Sequence, residues 1–343
     1  MALKGYVRQK DIAREAGVHV TTVSMALKDD QRLAESTRKR IRAIAEKMGY
    51  RPDPMLSAIT VHRNQSKRSH HQGTLAWINP VSSENTDKIA FPEYFRGAKD
   101  RCEELGYKLE PLYFPDLGGQ RLHGVLKARN IRGLLIPPQT HSRFHLEFDW
   151  SDFSSVCFGF TLSWPLLHLV TNAQYHSTRL SMRLLLSRGY RRLGFITSRE
   201  TDERTDQNFL AGFLAEQQNL SREQCLPPHI LEETTINEEP KRIRQWFDKH
   251  KPDAIIYHFD TLPVFLEKAG ISEDACGLAS LSLTDRDKGV AGIFQNDFLI
   301  GRKAVDVVVD MLHRNERGIP EHRFHFLVES DWVEGRTIRN PYS

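Results

Sequence analysis

The sequence predicts two structural classes in one chain: an all-α helix-turn-helix headpiece, then a larger α/β domain built on parallel sheets. Three observations predict this. Through the first fifty positions apolar residues recur at helical spacing, punctuated by Gly17 and Gly49. From Gly73 onward, short apolar runs of strand type alternate with helical runs. The charge is divided as well: residues 1–70 hold 15 Lys and Arg against 7 Asp and Glu, the remainder 33 against 37.

A basic module on a mildly acidic body suggests a polyanion as partner for that module alone. The 343 residues exceed one ordinary domain and suit two or three. With 39% hydrophobic and 27% charged residues, the composition is that of a soluble globular protein. No apolar run reaches the ~18 residues of a membrane span, and no secretory signal is expected. Cys102, Cys157, Cys225 and Cys276 are scattered, with no C-x-x-C pair. They read as small core hydrophobes in a reducing cytoplasm, and no metal site or cofactor is expected.

Taking the elements in order, residues 8–17 read as a helix with Ile12, Ala13 and Ala16 inward. Residues 20–27 form a second, with Val23 and Leu27 inward, and the turn between them carries Gly17, where φ is free to be positive. A third helix over 35–48 turns Ile41, Ile44, Ala45 and Met48 inward and ends at Gly49.

This stretch resembles the headpiece of the lactose-repressor/galactose-repressor family. The match lies in Val7-Arg8-Gln9-Lys10-Asp11-Ile12-Ala13-Arg14-Glu15-Ala16-Gly17-Val18, Thr22-Val23-Ser24, Thr37-Arg38 and Gly49-Tyr50-Arg51-Pro52. The resemblance implies a DNA-binding headpiece over 1–52 whose second helix enters the major groove. Val20, Thr21 and Met25 then occupy base-facing positions, and Thr22, Ser24 and Thr37 phosphate-facing ones. His19 joins the phosphate group, standing where the family has a capping serine or threonine. Met25 replaces an arginine common in the family. It cannot make the bidentate contact to guanine, but with Val20 it can pack on thymine methyls, or simply pack within the headpiece.

Residues 53–72 read as hinge helix and linker. Asp53 is a good N-cap and Pro54 suits the first helical position. By the same resemblance Ala58 and Ile59 fall where a hinge helix wedges into the minor groove and kinks the duplex. Alternatively, Leu56 and Ile59 pack between subunits.

In the body, strands are expected over 74–79, 108–114, 133–137, 155–160, 168–171, 192–197, 254–257, 278–283 and 290–294. Helices are expected over 92–105, 120–129, 174–188, 209–218, 239–249, 263–269 and 298–314. The pieces Gly189-Tyr190-Arg191-Arg192-Leu193-Gly194-Phe195-Ile196, Ala211-Gly212-Phe213, Pro252-Asp253-Ala254-Ile255-Ile256 and Asn296-Asp297-Phe298 resemble the same family's periplasmic-binding-protein-like sensor domain. That implies two Rossmann-like subdomains over 73–343. The first covers about 73–172 plus part of 320–343, the second about 173–319, with a ligand cleft at the C-terminal strand ends.

The positions carried over into that cleft are Asp260 and Asn296, Trp246 as a stacking aromatic, and Phe91 and Tyr94 on the opposite wall. Two departures stand out. Phe209 replaces an arginine usual in sugar-binding members, and Phe259 an asparagine. Arg204 is the candidate to supply the missing cation. Catalytic motifs such as G-x-G-x-x-G, H-E-x-x-H and G-x-S-x-G are absent from the sequence, which is not expected to encode an enzyme. The expected protein is a cytoplasmic, nucleoid-associated homodimeric transcription regulator, more plausibly repressor than activator. Its expected partners are a pseudo-palindromic double-stranded DNA operator and a small-molecule effector of the sugar class, with no membrane. The alternative is a DNA-binding regulator whose cleft is vestigial.

Overall fold

A computed structural model describes residues 7–27, 30, 32–50, 72–80, 89–139, 141–232, 236–259, 261–272, 275–286 and 289–338. The chain divides into two units, residues 1–70 and 71–343. The expected hinge positions Ala58 and Ile59 lie outside the described residues.

In the first unit α1 (Gln9–Ala16), α2 (Val20–Leu27) and α3 (Glu35–Lys47) enclose a small core of Ile12, Ala13, Ala16, Val23, Ala26, Ile41 and Ala45. Gly17 ends α1 in the left-handed region (φ 64°), a conformation glycine adopts without strain. Two arginines of α3 close the ends of the other helices: Arg40 donates to the Ala16 carbonyl (3.1 Å) and Arg42 to that of Ala26 (3.2 Å). These bonds satisfy carbonyls that a helix end leaves unpaired.

The second unit holds two six-stranded sheets. The first has the order β13-β7-β5-β3-β1-β2, all parallel. It comprises β1 (Gly73–Asn79), β2 (Tyr107–Tyr113), β3 (Gly133–Ile136), β5 (Ser154–Phe158), β7 (His168–Asn172) and β13 (His325–Val328). The second has the order β14-β12-β11-β10-β8-β9. It comprises β8 (Leu193–Ser198), β9 (His229–Leu231), β10 (Ala254–Tyr257), β11 (Gly277–Leu283), β12 (Ala291–Phe294) and the antiparallel edge strand β14 (Asp331–Val333). A short pair, β4 (Phe144–His145) and β6 (Leu162–Trp164), stands apart. The central strands β3, β5 and β10 are buried along their whole length, as parallel strands covered on both faces must be.

The helices are α4 (Pro92–Leu105), α5 (Phe114–Ala128), α6 (Gln174–Ser187), α7 (Arg199–Arg204), α8 (Asn208–Gln217), α9 (Glu239–His250), α10 (Leu262–Lys268) and α11 (Asp297–Arg314). On one face of the first sheet Leu75, Trp77 and Phe158 meet α4 and α11; on the other Ile78, Leu134 and Ile136 meet α5. The second sheet is covered by Met182, Leu185, Phe209 and Phe213 on one side and Ile243, Trp246, Leu262 and Leu266 on the other.

Here the expected subdomain boundary needs correction. The helix α11 falls inside residues 173–319, which the sequence assigns to the second subdomain, yet it packs on the first sheet and on α4. Its stripe of Ile300, Ala304, Val305, Val308, Val309 and Met311 is too wide for one neighbour and needs helix and sheet together. Backbone proximity shows why the partner is α4. A Cβ added to Gly301 would lie 2.0 Å from the Tyr94 carbonyl oxygen, and one added to Gly97 would lie 1.9 Å from that of Phe298. The chain therefore crosses between the sheets three times: from β7 into α6, from β12 into α11, and from β13 into β14.

Candidate DNA-reading face and ligand cleft

In α2, Val23 and Ala26 are buried while Val20 and Thr21 are exposed and Ser24 and Met25 half-buried. At about 100° per residue, Val20, Thr21, Ser24 and Met25 share one outward arc, with Thr22 on its flank. His19 takes over the capping role that its position implies. Its Nδ1 accepts from the backbone N–H of Thr21 (3.4 Å) and lies 2.9 Å from the Thr21 hydroxyl. Thr37 sits in the first turn of α3, which has no side-chain cap, so its backbone N–H groups face outward for an anion. The expected base- and phosphate-facing residues thus lie on two helices held together by one core.

The cleft positions fare differently. Phe91 caps α4 in the left-handed region (φ 57°) and stacks on Tyr94 (ring centroids 5.7 Å apart). Tyr94 is itself buried, and burial, then the Asp297 carboxylate, pushes its phenol well up from its ordinary range. Asn296 is the N-cap of α11, but its amide is committed. Nδ2 donates to the Glu329 carbonyl (3.0 Å) and to Asp331 (3.3 Å), and Oδ1 accepts from Arg286 (3.3 Å). Arg204 ends α7, half-buried, with Glu200 3.8 Å away; burial lowers its guanidinium pKa. Asp260 lies outside the described residues.

Trp246 is not in the cleft. Helix α9 runs antiparallel to the strands, so its C-terminal half lies beside the strand beginnings. There the indole covers Gly194, whose Cβ would sit 2.5 Å from it, and its Nε1–H donates to the Pro227 carbonyl (3.0 Å). An aromatic at helical spacing is legible in sequence; the end of the sheet it reaches is not.

Phe209 does reach the right end, but points inward. It is buried in the core beside Phe213 and packs on His258, the residue that follows β10. His258 was not singled out from the sequence. Burial, then Arg204, lowers its pKa to about 4, so the imidazole is neutral. Asp297 is likewise not among the positions the resemblance assigns, although it lies within the Asn296-Asp297-Phe298 motif. Burial, then Glu93, raises its carboxyl to about 6, and its Oδ1 is buried without a hydrogen-bond partner. Across the cleft Ser142 Oγ donates to Glu203 Oε2 (3.2 Å), joining the loop after β3 to α7. Among the described residues no group of His, Cys, Asp or Glu could hold a metal ion, and no helix is long and apolar enough to cross a membrane.

Residues 9–53 match the family model described as bacterial regulatory proteins, lacI family. The transcriptional repressor PurR of Pectobacterium carotovorum subsp. carotovorum is 27% identical over 200 residues, covering 54% of this chain and 53% of that protein. The chain thus spans about half the length of the curated relatives it matches first. Two solved structures share the fold. One is the transcriptional regulator CelR–cellobiose complex, with TM-score 0.56, 16% identity, and 96% and 99% of the two chains covered. The other is the lac repressor dimer bound to operator and the anti-inducer ONPF, with TM-score 0.55, 16% identity, and 97% and 99% covered. Residues 9–53 thus form a headpiece of the lacI family of bacterial regulatory proteins.

Proposed function

We propose that the chain is a sequence-specific DNA-binding regulator of transcription, more plausibly a repressor, whose DNA affinity responds to a small sugar held by the α/β domain. One observation carries the first part: α2 is locked from behind by Val23 and Ala26 and turns Val20, Thr21, Ser24 and Met25 outward. In this reading Val20, Thr21 and Met25 meet base edges, and His19, Thr22, Ser24 and Thr37 meet phosphates. Ala58 and Ile59 enter the minor groove. The repressor sense follows PurR, a transcriptional repressor by name. The sugar follows CelR, solved with cellobiose, and the operator and dimer follow the lac repressor. A symmetric dimer on a pseudo-palindromic operator would work beside the genome, in the cytoplasm, without enzymatic activity.

A second reading has an observation in its favour. Phe209 is in the core, and Asn296 is bonded within the protein, so two carried-over positions do not offer polar groups to a sugar. A regulator with a vestigial cleft would show this. The test uses the full chain and genomic fragments in a retardation assay with and without sugars. The proposal expects specific fragments to be retained, affinity to fall steeply with salt as phosphate counterions are released, and a sugar to shift it. Retention indifferent to every sugar would favour the vestigial cleft, and no retention at low salt would overturn both.

A further inference from the structure

Resting on the reading of α2 as the helix that meets base edges, we propose that Arg42 of α3 is a positioning residue for base recognition. It fixes the roll of α2 so that Val20, Thr21 and Met25 face the groove together. Arg42 is half-buried and donates from Nε to the Ala26 carbonyl in the last turn of α2 (3.2 Å). The base-facing arc and the side chain that holds it thus lie on different helices.

The need for such a tie follows from how little of α2 is buried. The helix has 8 residues, too few to be stable alone in water. Val23 and Ala26 are its buried residues and Leu27 packs partly beside them, a single stripe at spacings of three and four. A helix seated on one narrow stripe resists lifting but can roll about that stripe. Side-chain tips lie about 5–6 Å from a helix axis, so a roll of about 20° carries them about 2 Å. A hydrogen bond to a base edge spans only about 2.7–3.2 Å between its heavy atoms. Packing alone therefore does not set the register that base reading needs.

The C-terminal end of α2 carries the ties that packing lacks. The Ala26 carbonyl takes the Arg42 bond, and the neighbouring Met25 carbonyl accepts from the Asp30 N–H (2.9 Å). Asp30 is itself held: its carboxylate accepts from the Arg32 backbone N–H (3.0 Å), Nε (3.0 Å) and Nη2 (2.6 Å). One bond ties α2 to the chain that follows it, the other to a separate helix. That helix also carries Thr37, the residue read as a phosphate contact, so the Arg42–Ala26 bond sets the angle between the base-reading and phosphate-holding elements. Arg42 also satisfies a carbonyl that a helix end leaves without an internal partner, a role that would serve stability alone. The two roles differ in where the loss appears. Orientation is felt only at the specific site, because binding to any other duplex rests on charge.

Anisotropy titration of the full chain tests this on a duplex that wild type selects from a random pool and on a scrambled duplex of equal length. Arg42→Met keeps the apolar stem and removes the donors. It should bind the selected duplex about tenfold more weakly or worse, and the scrambled one within about threefold of wild type. Its salt slope should stay within about half a unit. Arg42→Lys, which keeps the charge on a point donor, should lose about threefold on the selected duplex alone. Equal losses on both duplexes in both variants would make Arg42 a stability residue. A salt slope lower by about one would make it a phosphate contact. A selected-to-scrambled ratio within about twofold of wild type in both variants would leave it no part in reading. Each of these overturns the inference. Should Arg42→Met bind neither duplex, Arg42→Lys decides: a lowered ratio supports the positioning role, and an unchanged ratio overturns it. Wild-type preference untouched by the variants sinks this inference alone, whereas wild type that retains no duplex, or prefers none, sinks the regulator reading beneath it.

Discussion

Phe209 packs against His258 with ring centroids 4.2 Å apart and planes inclined by 33°. Phe209 stands where the resemblance implies an arginine, and with His258 it puts a neutral aromatic stack at that position. Burial first, and the Arg204 charge second, hold His258 near 4, against 6.5 for a free imidazole.

The pH dependence of stability follows. A histidine whose folded pKa is depressed contributes stability that is present above about 6.5 and lost as pH falls through about 4, because the unfolded chain takes up the proton first. The gap corresponds to roughly 3 kcal/mol at most. Urea unfolding of wild type and His258→Leu at pH 7.5 and 4.5 checks it. The variant should lose distinctly less stability on acidification than wild type.

Asp297 titrates in the opposite sense. Burial, then Glu93, raises its carboxyl from 3.8 to about 6, so its contribution is present below 3.8 and is lost as pH rises through 6. At pH 8 the protein carries a poorly solvated charge beside Tyr94. The residue keeps partial solvent contact, so Asp297→Asn should stabilise the fold by only about 1–2 kcal/mol at pH 8 and by little at pH 4. Equal effects at the two pH values would refute the assignment.

The α4–α11 contact depends on missing side chains. Gly301→Val would drive carbon atoms into the Tyr94 backbone, where even a Cβ lies 2.0 Å from the carbonyl oxygen. Because backbone cannot yield as a side-chain tip can, the expected cost is at least about 2–3 kcal/mol. Thermal unfolding should show a clear fall in Tm. Gly124→Ala, on α5 with open space at the Cβ position, should leave Tm nearly unchanged or raised.

Much of the architecture was legible because periodicity and punctuation agree. Helix α2 spans 20–27 as its apolar spacing predicts, and β10 spans 254–257. Where the reading drifted, the signal was local and short. Phe114, expected to end a strand, opens α5 instead, with Pro115 in the first turn, and a positive-φ kink at Gly118 joins two helical pieces. The helix α7 was passed over, although Ser198 caps it by accepting from the Thr201 N–H (3.1 Å). Strand β9 has three residues and no pattern of its own. The cleft was least legible, since direction decides function there. Position alone suggests Phe209, Trp246 and Asn296, and their orientation depends on neighbours distant in sequence, such as His258, Gly194 and Glu329.

The central claim is that the outward arc of α2 reads DNA bases, and the base preference of the full chain tests it most directly. Duplexes are selected from a random pool by wild type, Val20→Ala, Thr21→Ala and Met25→Arg. The account predicts that each variant changes the preferred base at a defined position in both half-sites, with Met25→Arg gaining guanine. The slope of log affinity against log salt should stay within about one unit. If all four proteins select the same sequence, or none, α2 does not do the reading and the account is wrong.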